Sequence, residues 1–236
     1  MSVTFEEAQK GLKHDLQLLI KDMDMAEKIN MQLLLSLAVG GLDPDSREEN
    51  TALNEATFGV ALELMSEFRE AGLVKRERPD FMTDELLSSL IQESEESREE
   101  SVRPGLHYLS PAKKIGENFS KSDILTNYVK EALGKEVVAN GIGSYLYYEE
   151  PGDGIPAHVD SDIFSINCII GLSHKTKEGV DRQSALVVYS NKGVPTRIIL
   201  EPGELVLLLA GGSVHAREPV VDGEKVSIIT IGFGNK

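Results

Sequence analysis

Three residues set the chemical question. His158 and Asp160 lie two apart in GIPAHVDSDIF (residues 154–164), and His215 follows an apolar run in ELVLLLAGGSVHAREPV. On a strand, residues i and i+2 point the same way, so His158 and Asp160 can face one cavity. Two protein ligands hold a divalent ion poorly. His215, where the chain leaves a strand, supplies a third. A structural zinc site more typically takes four protein ligands, rich in cysteine, and this chain has only Cys168. An H-x-D triplet alone arises often by chance in polar loops, and the downstream histidine gives it weight.

Lys225 stands ten residues past His215, followed by Ser227, in GEKVSIITIGF. The two share a strand face that Ile229 and Ile231 continue. A cation and a hydroxyl on one inward face call for an anion, and a dicarboxylate cosubstrate would meet that need. The alternative is a lysine that opens an edge strand and points to water. The other histidines carry weaker signals: His14 reads as a helix-surface residue, His107 as a structural loop residue, and His174 as turn surface.

The elements that must position these groups fall into two halves with different periods. From Thr4-Phe5-Glu6-Glu7, which fits a capping box, Phe5, Ala8, Leu12, Leu16, Leu19, Met23 and Ala26 recur at helical spacing. The apolar stretch runs to about Val39 and stops at Gly40-Gly41. Further helices are predicted over about 52–70, from about Thr83, and over 122–133 with Gly134 closing the last. ESEESREES (93–101) is acidic and of low complexity; it reads equally as a mobile loop or a solvated helix end. After about residue 135 the pattern is strand-like: VVANGIGSYLYYEE, IFSINCIIGL, ALVVYS, TRIILE, ELVLLLA and VSIITIGF, separated by Asn-Lys-Gly, Pro-Gly and Asp-Gly turns. The expected fold class is α+β, with N-terminal helices packed on a C-terminal double-stranded β-helix, or jelly roll. Residues 1–135 form the helical region, whether or not as part of the same domain, and 136–236 the β core.

Composition narrows the partners. The chain has 236 residues and a net charge of −15, a surface that repels phosphate backbones and anionic lipid. Nucleic acid and membrane are therefore not expected partners, while a cationic ligand is mildly favoured. No apolar run approaches the ~20 residues of a membrane span, and no signal peptide is visible. With a single cysteine, a reducing cytoplasm is the expected compartment. The oligomeric state is not legible.

Two imidazoles and one carboxylate leave three positions of an octahedron open, the facial triad of non-haem Fe(II) oxygenases. At YYEEPGDGIPAHVD, EPGELVLLLAGGSVHAREPV and GEKVSIITIGF the chain resembles the Fe(II)/2-oxoglutarate-dependent oxygenases, especially their prolyl-hydroxylase-like branch, over residues 140–233. The resemblance implies a double-stranded β-helix, with His158, Asp160 and His215 as iron ligands. It implies that Lys225 and Ser227 hold the far carboxylate of 2-oxoglutarate, with Tyr148, ten residues before His158, touching the same group. Tyr145 and Tyr147 lie on the opposite strand face. The family's usual basic residue is arginine, a planar two-point clamp, whereas Lys225 is a point charge. Arg217, two after His215, is either a helper or a surface residue. DRQSALVVY lacks the paired glycines that often precede this strand, a departure that concerns the substrate-side loop. The implied reaction consumes Fe(II)-bound 2-oxoglutarate and O2 and hydroxylates an unactivated C–H bond of a small molecule, a free amino acid or another small metabolite. Related halogenases have Gly or Ala at the Asp160 position, so the carboxylate argues for hydroxylation, or for desaturation or ring closure. Arg182, before the ALVVYS strand, is a candidate for a substrate carboxylate or a solvated loop residue. Two rival readings remain open at the level of sequence: a cupin-like metalloenzyme that does not use 2-oxoglutarate, and a non-catalytic jelly-roll binding protein.

Overall fold

A computed structural model describes residues 70–190 and 194–235, together with His14, Leu18 and residues 21–24. The helices predicted over 4–39 and 52–70 therefore lie almost wholly outside the described residues. Within the first of them His14, Leu18, Lys21 and Asp22 are helical and exposed, and Met23 and Asp24 are not helical. Among the described residues no helix is long and apolar enough to cross a membrane.

Ten strands and three α-helices lie between Leu73 and Asn235 among the described residues. The strands are β1 (Leu73–Glu77), β2 (Tyr108–Pro111), β3 (Val137–Tyr148), β4 (Ile155–His158), β5 (Ile166–Thr176), β6 (Leu186–Tyr189), β7 (Pro195–Ile198), β8 (Leu205–Leu208), β9 (His215–Arg217) and β10 (Glu224–Asn235). The helices are α1 (Asp84–Arg98), α2 (Lys114–Ser120) and α3 (Asp123–Leu133), and a short 3-10 turn covers Asp162–Phe164. A six-stranded sheet runs β1-β8-β5-β10-β3-β2 and a four-stranded sheet runs β4-β9-β6-β7. Every pairing is antiparallel. From β3 onward the chain passes back and forth between the two sheets, which is the jelly roll expected from the run of short strands.

The helices form a third layer. Thr83 caps α1 by accepting from the Leu86 N–H, and Asp84 and Glu85 in its first turn favour the positive end of the helix dipole. Ser122 does the same for α3 at Leu125, and Gly134 closes that helix at φ 64°, a left-handed conformation that glycine adopts without penalty. One apolar cluster fills the space between helices and large sheet, around Leu90, Leu125, Val129, Tyr145, Cys168, Ile229 and Phe233. A second lies between the two sheets, around Leu146, Tyr148, Ile169, Val188, Val206 and Ile228. Strands of the large sheet thus bury both faces. Burying one such Leu or Ile stabilises the fold by about 1.5–3 kcal/mol.

Three expectations need correction. The sheet does not begin at residue 135: β1 pairs with β8, and β2 pairs with β3, so two strands of the predicted helical region widen the large sheet. A short helix, α2, was not anticipated. ESEESREES is neither a loop nor a wholly solvated helix end, since α1 continues to Arg98 and buries Glu93, Ser94 and Ser97. Glu93 accepts from the backbone N–H groups of Lys113, Ile115 (2.5 Å) and Gly116 (2.8 Å) and from the Tyr145 hydroxyl (2.8 Å). It thereby satisfies the start of α2, whose own capping residue, Lys113, has no oxygen to offer.

Candidate metal centre

The jelly roll brings the three predicted ligands together. His158 ends β4 and is the register partner of His215 at the start of β9, and their rings lie 4.3 Å apart. Asp160, just past β4, is tethered by its N–H to the Ala210 carbonyl at 2.9 Å. One ligand atom from each residue falls within 4.8 Å of the others. Both Nε2 atoms face the same carboxylate oxygen: His158 Nε2 is 3.5 Å and His215 Nε2 3.7 Å from Asp160 Oδ1.

The surroundings prepare these atoms for a cation. His158 Nδ1 lies 2.8 Å from the Pro156 carbonyl, and His215 Nδ1 3.0 Å from that of Ser213. A carbonyl can only accept, so both Nδ1 positions carry the proton and both Nε2 lone pairs are free. Asn167, 4 % exposed on β5, donates from Nδ2 to Asp160 Oδ2 at 2.8 Å. That bond fixes the carboxylate and turns Oδ1 toward the imidazoles. Burial works against the Asp160 anion, but the neighbouring imidazoles of His215 and His158 and the hydrogen bond from Asn167 prevail and hold its pKa below the ordinary value. Burial, reinforced by His158, pushes His215 down to about 4. For His158 burial is outweighed by Asp160, and its pKa rises. The donor set is what an octahedral metal with open positions requires, and Asn167 is the outer partner that such carboxylates take. The residues present therefore fit an iron ion.

The triad opens on a cavity of about 170 Å³ between the sheets. Its wall is mostly apolar, with Leu146, Ile155, Ile169, Leu186, Leu200 and Ile228 among the lining residues. Tyr148, 1 % exposed, also lines it, as expected. So does Arg217, which shares the face of β9 with His215.

Other expected site residues lie elsewhere. Lys225 and Ser227 do share a face with Ile229 and Ile231, but it is the helix side of β10. Both border a separate depression with Arg98, Tyr147 and Lys175, and Lys225 is exposed. Val226, Ile228 and Thr230 take the inward face. The expected anchoring pair is therefore turned away from the triad. Arg182 pairs through Nη1 with both oxygens of Glu201 at 2.8 Å and does not line the cavity. His174 is not turn surface. Its side chain is buried on β5, with Nε2 2.6 Å from Glu224 Oε1. His107 is half-buried beside Tyr148, their ring centres 5.9 Å apart.

Two further residues stand against the triad or its cavity. Asn167 carries no signal in IFSINCIIGL beyond being a polar residue of a strand, and only its hydrogen bond to Asp160 singles it out. Arg217 stood as a helper or a surface residue, whereas it is buried. Its spacing of two from His215 on a strand was the available signal.

No protein-family model matches the chain, and no curated relative does by sequence. Solved structures match its fold. A prolyl-4-hydroxylase from Pseudomonas putida superposes with a TM-score of 0.55 at 17 % identity, over 74 % of this chain and 99 % of the other. The epimerase SnoN of nogalamycin biosynthesis, in complex with Fe3+, alpha ketoglutarate and nogalamycin RO, gives 0.57 at 12 % identity, over 74 % and 84 %. The alpha ketoglutarate-dependent carbocyclase SnoK gives 0.53 at 11 %, over 73 % and 83 %. The chain has the double-stranded β-helix fold of the non-haem Fe(II)/2-oxoglutarate oxygenases, prolyl hydroxylases included.

Proposed function

We propose that the protein is a non-haem Fe(II)/2-oxoglutarate-dependent oxygenase that hydroxylates an unactivated C–H bond of a small molecule. The observation that carries this reading is the convergence of His158, Asp160 and His215 with both Nδ1 atoms already committed to carbonyls. Bound at that triad, iron with 2-oxoglutarate and O2 supplies oxidative decarboxylation to succinate and carbon dioxide, coupled to oxygen insertion into a C–H bond. His158 and His215 would hold the ion through Nε2 and Asp160 through Oδ1. Asn167 keeps the carboxylate from swinging out of that geometry. The apolar wall excludes bulk water and presents hydrocarbon surface to the substrate. Among the described residues that line the cavity Arg217 is the one guanidinium or ammonium and Asp160 the one carboxylate, so the negative surface charge does not extend into the cavity as a cation-binding wall. The SnoN complex, which holds nogalamycin RO, supports a small-molecule substrate.

The test is succinate formation from 2-oxoglutarate under O2 with added Fe(II), across a panel of small metabolites that begins with free amino acids. One class should stimulate succinate formation and gain an oxygen atom, and Asp160→Ala should abolish both. Substrate turnover that persists without 2-oxoglutarate would overturn the reading in favour of a cupin-like metalloenzyme.

A further inference from the structure

Arg217 brings a full positive charge into the cavity with little to balance it. It is 5 % exposed. Among the described residues its hydrogen bonds run from Nη2 alone, to the Ser184 carbonyl at 3.3 Å and hydroxyl at 2.7 Å. Its Nε is buried and has no partner. The two carboxylates whose charge reaches it, Glu224 and Glu218, are engaged elsewhere. Glu224 accepts from the backbone N–H groups of Gln183, Ser184 and Val221 and meets His174. Glu218 is held by Arg197 and the Ala185 N–H. A buried guanidinium without a carboxylate is unfavourable until an anion completes it.

We propose that Arg217, with Tyr148 beside it, is this chain's carboxylate anchor and grips the distal carboxylate of the keto diacid, the task expected of Lys225. The inference rests on the cosubstrate reading above and names where that cosubstrate ends. Arg217 follows the ligand His215 by two residues on β9, an advance of roughly 7 Å along the strand. The four carbon–carbon bonds of 2-oxoglutarate, each ~1.5 Å, span about 5 Å when extended. A diacid whose keto end lies at the triad therefore points its far carboxylate at the guanidinium. The Arg217 guanidinium carbon sits 5.4 Å from the centre of the Tyr148 ring, so the phenol borders the same spot. The register partners of Arg217 across the small sheet are Ile155 and Leu186, and this apolar flank makes a charge contact there strong. Ser184 occupies Nη2 and holds the plane of the group, which leaves Nε for the ligand.

Calorimetric titration of the Ni(II)-loaded protein tests this, with 2-oxoglutarate and with 2-oxobutyrate, a keto acid that lacks the distal carboxylate. The wild type should prefer 2-oxoglutarate. Arg217→Met should weaken 2-oxoglutarate at least tenfold and leave 2-oxobutyrate unchanged, erasing the preference, while Lys225→Met should leave both within twofold. Unaltered 2-oxoglutarate affinity in Arg217→Met overturns the proposal, and is the result expected of an arginine that serves a substrate carboxylate instead. A loss confined to Lys225→Met overturns the anchor alone. A wild type that binds Ni(II) but neither keto acid overturns the cosubstrate reading and the anchor with it. Should Arg217→Met fail to fold, Arg217→Lys and Tyr148→Phe carry the test. Each should weaken 2-oxoglutarate severalfold and spare 2-oxobutyrate, and wild-type affinity in both refutes the assignment.

Discussion

Replacing Asn167 with alanine removes one hydrogen bond from the proposed centre and leaves every ligand in place. The bond runs from the Asn167 amide to Asp160 Oδ2 at 2.8 Å, inside a site where Asn167 is 4 % exposed. A hydrogen bond to a charged group contributes about 1.5–3 kcal/mol, and each 1.4 kcal/mol is roughly a tenfold change in affinity. The freed carboxylate gains rotational freedom, and its orientation must then be fixed at the moment of binding. Metal affinity should fall about 10–100-fold, the range found for outer partners of metal ligands. Competition calorimetry with Ni(II) reads the change directly. Thermal unfolding of the metal-free variant shows whether the fold has survived. Affinity within twofold of wild type, in a variant that folds, would mean that Asn167 does not hold Asp160 in the binding geometry and that the site is arranged by other means.

Glu93→Ala should cost roughly 3–5 kcal/mol in denaturant unfolding, because it orphans the N–H groups at the start of α2 and the buried Tyr145 hydroxyl. Glu93→Gln, which keeps an acceptor, should cost less. Glu224 has its pKa lowered from 4.5 to about 2: burial opposes the shift, but His174 and three backbone N–H groups outweigh it. Its stabilisation is therefore complete above pH ~4.5 and is lost as pH falls toward 2, about 3 kcal/mol in all at 1.36 kcal/mol per pKa unit. Unfolding curves between pH 2 and 6 should show this dependence flattened in Glu224→Gln. Gly171→Ala should destabilise by about 1–3 kcal/mol, since a Cβ there would stand 2.6 Å from the Glu201 carbonyl oxygen and 3.1 Å from Leu200 Cβ.

Much of the architecture could be read from the sequence where local signals were strong. Thr83, Ser122 and Gly134 carry capping chemistry that works over three or four residues, and α1 and α3 start or stop there. The later strands announced themselves by alternation and turn residues. Leu73–Glu77, in contrast, has a polar strand sequence, and only pairing with β8 makes it a strand. Glu93 sat in an acidic run whose average character hides one residue facing the core. Lys225 shows the limit of strand periodicity. Alternation correctly grouped it with Ser227, Ile229 and Ile231, but both faces of β10 are apolar, so parity could not say which one faces the second sheet. The same ambiguity concealed Arg217 until β9 was placed opposite β4. The convergence of His158, Asp160 and His215 was legible because an i, i+2 pair and a strand-end histidine need only the general jelly-roll path to meet.

Anaerobic titration with Fe(II) addresses the central claim most directly. The wild-type chain should bind one equivalent, and His158→Ala, Asp160→Ala and His215→Ala should each lose it while remaining folded. One equivalent retained at wild-type affinity in any folded member of that set would show that the three side chains do not form a single centre.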